Sequence, residues 1–326
     1  MPTLDSEDGP SPRTFEMTPF PKQCLRKRKA ITLHIHRYHF ESCNSTNEAA
    51  HDWLKTALPG SVGIFTTTHQ IEGKGQRGTN WDQKQGKDLA WSIAFHWKSE
   101  TSNQIQRQAN AKFDLNKATT IAALQTINDA LGDHCPPTSI KWPNDLFVKK
   151  GDVWSKCGGI LIENTWQGAL IIGTVIGIGI NAQSTSLPLY RASLVEIIPD
   201  QAGDHIEPRV LGKALEKNIR LAIENWKSAC SNGAESVALF RRKTSDIFNR
   251  QLLARDKWKK YHWGHEEKCG KVLSVDEMGR CIVEWKTSEN SADSGGKKDA
   301  GASEAIENNK QLKWSWIYQQ QNERTD

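Results

Sequence analysis

The sequence lacks a long apolar segment. Its longest apolar stretch covers residues 169–180 and is interrupted by three glycines, which is too short for the roughly 20 residues of a membrane-spanning helix. We interpret this stretch as a buried strand. The N-terminus also lacks the apolar core of a secretory signal, and Asp5, Glu7 and Asp8 are atypical of an acid-poor transit peptide. We therefore expect a cytoplasmic protein without a membrane partner.

Cysteines that could form pairs are also lacking. The 326 residues contain seven cysteines, an odd number without the spacing of a disulfide framework or a metal site, so we expect free thiols in a reducing compartment. A metal-binding histidine cluster is not predicted either. Strand alternation places His34 and His36 on one face and His39 on the opposite face, whereas a metal needs ligands that converge.

A strong charge of either sign is absent as well. The net charge is +5, which is too small to indicate nucleic-acid binding by itself but is compatible with a site for phosphate groups. The basic run at residues 26–29 is typical of a solvated segment, with a nuclear signal or a nucleic-acid contact as the alternatives. Residues 1–30 are polar and aperiodic, so we predict a disordered N-terminal extension.

Periodic apolar positions begin after residue 30 and continue to about residue 250. Two-residue alternation or a β-branched run predicts a strand, and helical spacing predicts a helix. Ser45 and Glu48 have the spacing of a capping box, whereas residues 98–112 are polar and show no periodicity. The predicted strands cover 31–40, 62–68, 89–97, 140–148 (interrupted by Pro143), 157–164 and 169–180, and the predicted helices cover 45–58, 113–131, 210–226 and 235–244.

The character of the sequence changes after about residue 250. Short strand-like segments at 270–275, 280–285 and 312–318 suit a small β-barrel. Residues 288–310 are rich in Ser, Gly, Ala, Asn and charge, which predicts a low-complexity insertion in a loop. The chain is therefore predicted to divide into an extension (residues 1–30), a large domain (31–250) and a small domain (251–326).

The first segment with functional character is Gly73-Lys74-Gly75-Gln76-Arg77-Gly78. Its glycines allow a ligand to approach the main-chain N–H groups, and Lys74 and Arg77 add the positive charge that phosphate binding requires. The segment lacks the Gly-Lys-Ser/Thr ending of a P-loop and the strand-turn-helix context of a dinucleotide fingerprint. Taken alone, it also fits a flexible turn.

The second segment is Lys141-Trp142-Pro143-Asn144-Asp145. Pro143 restricts the backbone and Trp142 is suited to packing, so a lysine, an amide and a carboxylate are held on a rigid platform. Asp145 is suited to orient a metal-bound nucleotide or a ribose. The alternative is an ordinary turn around a buried tryptophan.

The third segment joins an apolar strand that begins at Lys156 to a second strand that ends at Asn181. A lysine at the end of a buried sheet is costly unless it pairs with an anion, so Lys156 is a candidate ligand contact. The alternative is a lysine that extends into solvent. Cys157 has no paired histidine in its motif and is interpreted as a strand thiol, and the Gly-x-Ser-x-Gly nucleophile elbow is absent.

Together these segments resemble the biotin–protein ligase family, which includes the holocarboxylase synthetases. The resemblance is specific from about Glu41 to Asn181 and looser beyond. The matching segments are Ser45-Thr46-Asn47 with the family's Ser-Thr-Asn, Gly73–Gly78 with Gly-Arg-Gly-Arg-Arg-Gly, Lys141–Asp145 with Lys-Trp-Pro-Asn-Asp, residues 156–161 with Lys-x-x-Gly-Ile-Leu, and residues 177–181 with Gly-x-Gly-Ile-Asn.

The resemblance implies an α+β fold, with a mixed central sheet flanked by helices as in class II aminoacyl-tRNA synthetases and a small C-terminal SH3-like β-barrel. It implies a ligase that uses ATP and Mg²⁺ to activate biotin as biotinyl-AMP. The biotin is then transferred to a lysine of the biotin carboxyl carrier domain of a biotin-dependent carboxylase. A monomer or a homodimer is expected, without a nucleic-acid partner.

The resemblance also assigns roles to individual residues. Lys156, Arg77 and Asp145 are expected to be catalytic. No side-chain cluster for a metal is expected, and Mg²⁺ would enter with ATP, near Asp145. The expected biotin-binding residues are Ser45, Thr46, Asn47, Gln70, Gly73, Lys74, Gly75, Lys156 and Gly159, with Ile160 and Leu161 along the apolar tail. The expected ATP- and adenylate-binding residues are Lys74, Gln76, Arg77, Trp81, Lys141, Asn144, Asp145, Lys156 and Asn181.

The glycine-rich loop departs from the family at Lys74 and Gln76, where the best-known members carry arginine. Lys74 keeps the charge without the bidentate fork, and Gln76 is neutral, so we expect Arg77 to carry the phosphate contact. The loop over residues 73–86 is expected to close over bound biotin. The alternative function is that of the sister family of lipoate ligases and octanoyl transferases. A regulatory biotin-binding protein is a third hypothesis, although the polar residues before Ser45 disfavour a repressor.

Overall fold

We analysed the protein as a computed structural model that describes residues 34–97, 102–168, 170–188, 190–198, 206–286, 303–306, 312–314 and 317. At residues 77, 102, 134 and 170 only the backbone is described. The predicted N-terminal extension, the basic run at 26–29, Cys24 and most of the predicted insertion at 288–310 lie outside these ranges. The six described cysteines are all free thiols, as predicted.

A seven-stranded mixed sheet forms the centre of the larger part of the structure. Its strands are β1 (Ile35–Cys43), β2 (Val62–Gln70), β3 (Leu89–His96), β4 (Thr138–Lys141), β5 (Asp145–Lys150), β6 (Val153–Gln167) and β7 (Leu170–Ile180). They lie side by side in the order β1-β2-β3-β7-β6-β5-β4. Strands β1 and β2 are parallel, and all the other neighbours are antiparallel. The predicted mixed sheet is confirmed.

Burial explains why the central strands were recognisable from sequence. In β3, every residue except the last is buried, and β7 is dominated by isoleucine, valine and glycine. A strand that is covered on both faces has no polar side and appears as a continuous apolar run. Strand β6 is longer than predicted, because it begins at Val153 rather than at residue 157.

Within the described residues, five α-helices accompany the sheet: α1 (Thr46–Leu54), α2 (Ser102–Asn110), α3 (Lys112–Leu131), α4 (Pro208–Ser231) and α5 (Ala234–Arg250). Helix α1 packs on the sheet through a core of Ala50, Leu54, Phe65, Ala94 and Val175. Its predicted start is confirmed, but the capping box is wrong, because the Ser45 side chain makes no capping hydrogen bond.

Helix α2 was not predicted, because residues 98–112 carry few apolar side chains. Tertiary contacts stabilise it instead: the Arg107 Nε atom donates to the main-chain oxygen of Cys230 at 2.7 Å, and Gln108 is buried. The other helices agree with the prediction in position and extend further than predicted, except α1, which ends earlier.

A five-stranded antiparallel sheet forms the C-terminal part. Its strands are β8 (Trp258–Trp263), β9 (Glu266–Val275), β10 (Cys281–Trp285), β11 (Ser303–Ile306) and β12 (Leu312–Lys313), in the order β11-β10-β9-β8-β12. Tyr261 and Trp314 meet edge to face in its core, with ring centroids 5.3 Å apart. The small SH3-like sheet is thus present, although the described strands do not pair around a closed barrel.

Two details of the C-terminal prediction are corrected. Strand β8 was missed, because among its six residues only Tyr261 is buried and the apolar alternation is weak. The loop assignment is wrong for residues 303–306, which pair with β10 from Glu284↔Ser303 to Cys281↔Ile306. Burial of Ile306 at 1% exposure anchors this strand within an otherwise polar segment. Residues 315, 316 and 318 lie outside the described ranges.

The two sheets are joined through polar contacts. The buried Lys117 ammonium of α3 donates to the main-chain oxygens of Val275 and Asp276 and to Ser245 Oγ. The indole N–H of Trp142 donates to the main-chain oxygen of Gly279 at 2.9 Å. Among the described residues, no helix is both long enough and apolar enough to cross a membrane.

Candidate active site

A cleft of about 210 Å³ lies where the ends of β5, β6 and β7 meet the start of α1 and the loop that follows β2. We call it the central cleft. It brings together most of the residues singled out in the sequence, although they come from five separate segments. The predicted site residues that line it are Ser45, Thr46, Asn47, Gln70, Lys74, Gly75, Gln76, Trp81, Asn144, Asp145, Lys156, Gly159 and Asn181.

Two described residues of the prediction, Gly73 and Lys141, are not part of the lining, and the side chain of a third, Arg77, is not described. Gly73 lies beside it and accepts a main-chain hydrogen bond from Trp81 N at 2.8 Å. Lys141 lies behind Asp145, and its Nζ atom is 3.1 Å from Asp145 Oδ2. The backbone of Arg77 belongs to a 3₁₀ turn, Gln76–Gly78, and its side chain lies outside the described part of the structure. The phosphate contact expected of Arg77 therefore stays a prediction.

One end of the central cleft is a buried polar network around the start of α1. The Gln70 Oε1 atom accepts from the Thr46 main-chain N–H at 2.9 Å and lies 3.2 Å from the Thr46 hydroxyl. Ser92 Oγ lies 2.7 Å from both Thr46 Oγ1 and Asn47 Oδ1. Because an amide oxygen only accepts, the Ser92 hydroxyl donates to Asn47. These polar groups are held in fixed directions before any ligand binds.

The network continues from Asn47 to a carboxylate. Asn47 Nδ2 donates to Glu163 Oε2 at 2.8 Å, and His51 Nε2 lies 3.4 Å from the same oxygen. The hydrogen bond with His51 lowers the pKa of Glu163, burial opposes that shift, and Asn47 adds to it. Glu163 thus stays ionised and fixes the orientation of the Asn47 amide, whose oxygen faces Ser92.

Two glycines of β7 make room for these side chains. A Cβ atom at Gly177 would lie 2.0 Å from Asn47 Oδ1, and one at Gly179 would lie 2.3 Å from the Trp81 ring. Any larger residue would displace Asn47 or Trp81. The Gly-x-Gly-Ile-Asn motif is therefore explained by close packing of the cleft wall against the strand.

Charged side chains form the centre of the cleft. Asp145 Oδ1 is 2.6 Å from Lys156 Nζ, and Asp145 Oδ2 is 3.1 Å from Lys141 Nζ. Burial alone would raise the pKa of Asp145, but the two ammonium groups lower it to about 2. The Lys156 ammonium also lies 5.9 Å from the centroid of the Trp81 ring. Lys156 is thus paired with a carboxylate at the cleft and is not a lysine that only extends into solvent.

Two of the three predicted asparagines, Asn144 and Asn181, use their N–H groups to hold the backbone. Asn144 Nδ2 donates to the main-chain oxygen of Ile160. Asn181 Nδ2 lies 3.3 Å from the main-chain oxygens of both Lys156 and Ala192. Their N–H donors therefore position the strands that carry Asp145 and Lys156. Any contact that either residue makes with a nucleotide would have to use the amide oxygen or a rearranged donor.

The glycine-rich loop folds back on itself beside the cleft. Gly75 N donates to Thr79 O at 2.6 Å, and Lys74 forms an isolated bridge with Asn80. The Lys74 ammonium lies 3.7 Å from Glu48 Oε1 of helix α1. This arrangement places the loop beside the start of α1, with the Lys74 side chain about half exposed at 53%.

Several lining residues were not selected from the sequence. The main one is Arg191, which lies in an irregular segment ten positions after Asn181 and has no periodic signal. Thr79 and Asn80 follow the glycine-rich loop, and proximity to that motif could have identified them. Ala90, Gly177, Ile178 and Gly179 also line the cleft; the last three lie within the motif that ends at Asn181.

The arrangement can bind an anionic group next to an apolar one. The described lining includes three cations, Lys74, Lys156 and Arg191, against one carboxylate, Asp145. Ile160, Leu161 and Ile178 supply an apolar wall. No group of three or more His, Cys, Asp or Glu side chains suited to a metal occurs among the described residues. The described site is thus a cleft in which cationic side chains lie next to an apolar wall.

Comparison with known proteins shows what the chain is similar to. Residues 39–181 match the Biotin/lipoate A/B protein ligase family. This segment of the chain is therefore similar to that family. The predicted resemblance and the predicted enzyme class, a ligase, are confirmed.

Curated relatives extend the match beyond this segment. The bifunctional ligase/repressor BirA of Bacillus subtilis is 25% identical over 259 residues, which cover 78% of this chain and 71% of that protein. The biotin–[acetyl-CoA-carboxylase] ligase of Paracoccus denitrificans is 32% identical over 143 residues, 42% of this chain and about half (51%) of that protein.

A solved structure shows the same fold. The biotin protein ligase of Aquifex aeolicus, in complex with biotin and ATP, superposes with a TM-score of 0.57 at 18% sequence identity. The match covers 83% of this chain and 95% of the Aquifex chain. The predicted fold, a mixed sheet followed by a small C-terminal sheet, is thereby confirmed.

Proposed function

We propose that this protein is a biotin–protein ligase that activates biotin with ATP and transfers it to a lysine of a biotin carboxyl carrier domain. The observation that carries the proposal is the paired Lys156–Asp145 centre between a buried polar network and an apolar wall. The network around Thr46, Asn47 and Gln70 suits the polar ureido head of biotin, and the wall suits its apolar ring and tail.

The chemistry explains why a cationic centre is needed. A carboxylate is a poor electrophile, so its oxygen attacks the α-phosphate of ATP and pyrophosphate leaves. The acceptor lysine then attacks the acyl carbon of biotinyl-AMP, AMP leaves, and an amide forms. The first step brings two anions together, and Lys156 is placed to neutralise both. Mg²⁺ would enter with the nucleotide and neutralise its phosphates near Asp145.

The first test is the role of Lys156. We expect Lys156→Ala to abolish biotin-dependent pyrophosphate release, because Lys156 is the lysine of the described cleft lining that contacts Asp145. Lys149→Ala is the matched control, since Lys149 is on the neighbouring strand β5 and does not line the cleft. A Lys156→Ala variant that is folded by circular dichroism and releases pyrophosphate at the wild-type rate would remove Lys156 from the mechanism.

Lipoate is the alternative substrate, because the matched family includes lipoate ligases. The relative from Paracoccus denitrificans favours biotin, and so does the extended polar network, since the lipoyl ring offers no ureido group. The two functions are separated by measuring pyrophosphate release with biotin and with lipoate. Pyrophosphate release with lipoate but not with biotin would contradict the proposal.

The proposal extends to partner and compartment. The acceptor is proposed to be the carrier domain of a biotin-dependent carboxylase. The six cysteines that the structure describes are free thiols, which supports a reducing compartment such as the cytoplasm. We propose a ligase that does not act as a DNA-binding repressor, unlike the bifunctional relative from Bacillus subtilis. A gel shift that shows specific DNA binding would contradict that part.

A further inference from the structure

Arg191 is held in the wall of the central cleft directly beside Lys156. The Lys156 main-chain N–H donates to Tyr190 O at 2.9 Å, and Ala192 N donates to Lys156 O at 3.0 Å. The Asn181 amide spans the same two main-chain segments. The backbone of Arg191 is therefore fixed to the strand that carries the proposed catalytic lysine.

The described partners of the Arg191 guanidinium are weak. Its Nη1 atom is 3.6 Å from Asp82 Oδ2, and its central carbon lies 5.6 Å from the centroid of the Tyr190 ring. The Asp82 side chain is 77% exposed, whereas that of Arg191 is 21% exposed. An ion pair with such an exposed carboxylate is screened by water and contributes little. An anion that enters the cleft can therefore displace Asp82 from the guanidinium.

The neighbouring cations are less suited to a bidentate contact. Lys156 is held by Asp145 at 2.6 Å, and Lys74 lies near Glu48. Gln76 is neutral. Among the side chains described in the cleft wall, Arg191 is the one that carries a guanidinium. A planar guanidinium can bind two phosphate oxygens through two parallel hydrogen bonds, which an ammonium group cannot do.

We propose that Arg191 is a phosphate-binding residue of the central cleft. On nucleotide binding, its guanidinium exchanges Asp82 for two oxygens of the α-phosphate and retains the adenylate after pyrophosphate has left. Arg191 thereby supplies the bidentate contact that Lys74 and Gln76 do not provide in the glycine-rich loop. This inference rests on the proposed function, because it names the nucleotide phosphate as the ligand.

The test compares Arg191→Ala, Arg191→Lys, Asp82→Asn and the double variant in the full chain. Pyrophosphate release is measured at varied ATP and varied biotin, and adenylate retention is measured after gel filtration. We expect Arg191→Ala to raise the KM for ATP by about tenfold or more, the effect of losing a charge-assisted fork. The KM for biotin should stay within about twofold. Arg191→Lys should bring the KM for ATP part of the way back to the wild-type value but should not restore adenylate retention. The lysine restores the positive charge without the two parallel hydrogen bonds of a guanidinium.

Asp82→Asn separates phosphate binding from a purely structural latch. Under the proposal, Asp82→Asn frees the guanidinium, so ATP binds as tightly as in wild type or more tightly. If Asp82→Asn instead raises the KM for ATP as much as Arg191→Ala does, and the double variant raises it no further, Arg191 acts only through its ion pair with Asp82. That result overturns the proposal. An unchanged KM for ATP in a folded Arg191→Ala variant overturns it as well.

Failure of the proposed function is recognised separately in the wild-type protein. If lipoate but not biotin supports pyrophosphate release, the biotin assignment fails, and the Arg191 comparison is repeated with lipoate, because the phosphate is the same. If neither acid supports pyrophosphate release, calorimetric titration of the same variants with ATP measures directly how much Arg191 contributes to ATP affinity. Equal ATP affinity in wild type and Arg191→Ala then overturns the inference.

Discussion

At the scale of single residues, Asp145 organises the charges of the central cleft. One carboxylate contacts two ammonium groups, at 2.6 Å from Lys156 and 3.1 Å from Lys141. Without it, two cations would lie close together at a partly buried point, where Coulomb repulsion is stronger than in water. Asp145 therefore holds Lys156 in position. In turn, Lys156 and Lys141 keep the Asp145 carboxylate ionised.

The pH dependence of stability tests this arrangement. The pKa of Asp145 falls from an ordinary value of 3.8 to about 2 in the folded protein. A lowered folded-state pKa means that the stabilisation is complete above about pH 4 and is lost as the pH falls toward 2. We expect Asp145→Asn to lower the free energy of unfolding by about 2 kcal/mol at pH 7. Urea denaturation should show a smaller difference from wild type at pH 3, and a difference that does not depend on pH would contradict the ion-pair explanation.

At the scale of elements, the turn between β4 and β5 connects the active site to the C-terminal sheet. Trp142 is 2% exposed, and its indole N–H donates to Gly279 O in the turn between β9 and β10. Phe113 of helix α3 contacts the same glycine so closely that a Cβ atom there would lie 2.5 Å from the ring. The C-terminal turn thus supports the loop that presents Asn144 and Asp145.

Trp142→Phe tests that support. The substitution removes the indole donor and part of the side-chain volume, so we expect a loss of about 1–3 kcal/mol in unfolding free energy and slower adenylate formation. Trp258→Phe is the control, because Trp258 lies on the C-terminal sheet at 38% exposure and should change stability by less than about 0.5 kcal/mol. Adenylate formation at the wild-type rate in Trp142→Phe would show that the turn between β4 and β5 does not need the hydrogen bond from Trp142 to Gly279 O.

At the scale of the whole molecule, a buried cation holds the two sheets together. Lys117 is 0% exposed, and its ammonium donates to three oxygens, two of them main-chain oxygens of the C-terminal sheet. Burial lowers the pKa of Lys117, and the neighbouring acids Asp114 and Asp276 oppose that shift. The interface is therefore specified by hydrogen-bond geometry in addition to apolar contact.

Replacing Lys117 tests the coupling of the two parts. Lys117→Met keeps the length of the side chain but leaves the oxygens of Val275 and Asp276 without this donor, so we expect a loss of about 1–3 kcal/mol in unfolding free energy. Limited proteolysis should then cut the C-terminal sheet earlier than in wild type. Lys112→Met is the matched control, because Lys112 is exposed on the same helix. Equal proteolysis rates in the two variants would contradict the role assigned to Lys117.

Local sequence determined the elements whose signal is local. The buried runs of β3 and β7 were predictable, because strands that are covered on both faces appear as continuous apolar runs. Helix α3 was predictable from the helical spacing of its apolar residues. Helix α2 and strands β8 and β11 were not predictable. A few tertiary contacts, such as Arg107 with Cys230 O and the burial of Ile306, stabilise them against polar sequence.

For the site, the motifs could be recognised from the amino-acid order alone: Lys156, Asp145 and the residues around Thr46 were predicted, and all of them line one cleft. That Arg191 joins them, that Asn181 holds backbone and that Trp142 contacts the C-terminal sheet becomes visible in the folded chain. These contacts join residues that lie far apart in the chain or in irregular segments. Their geometry depends on how the sheets and loops pack, and no periodic pattern in the sequence records it.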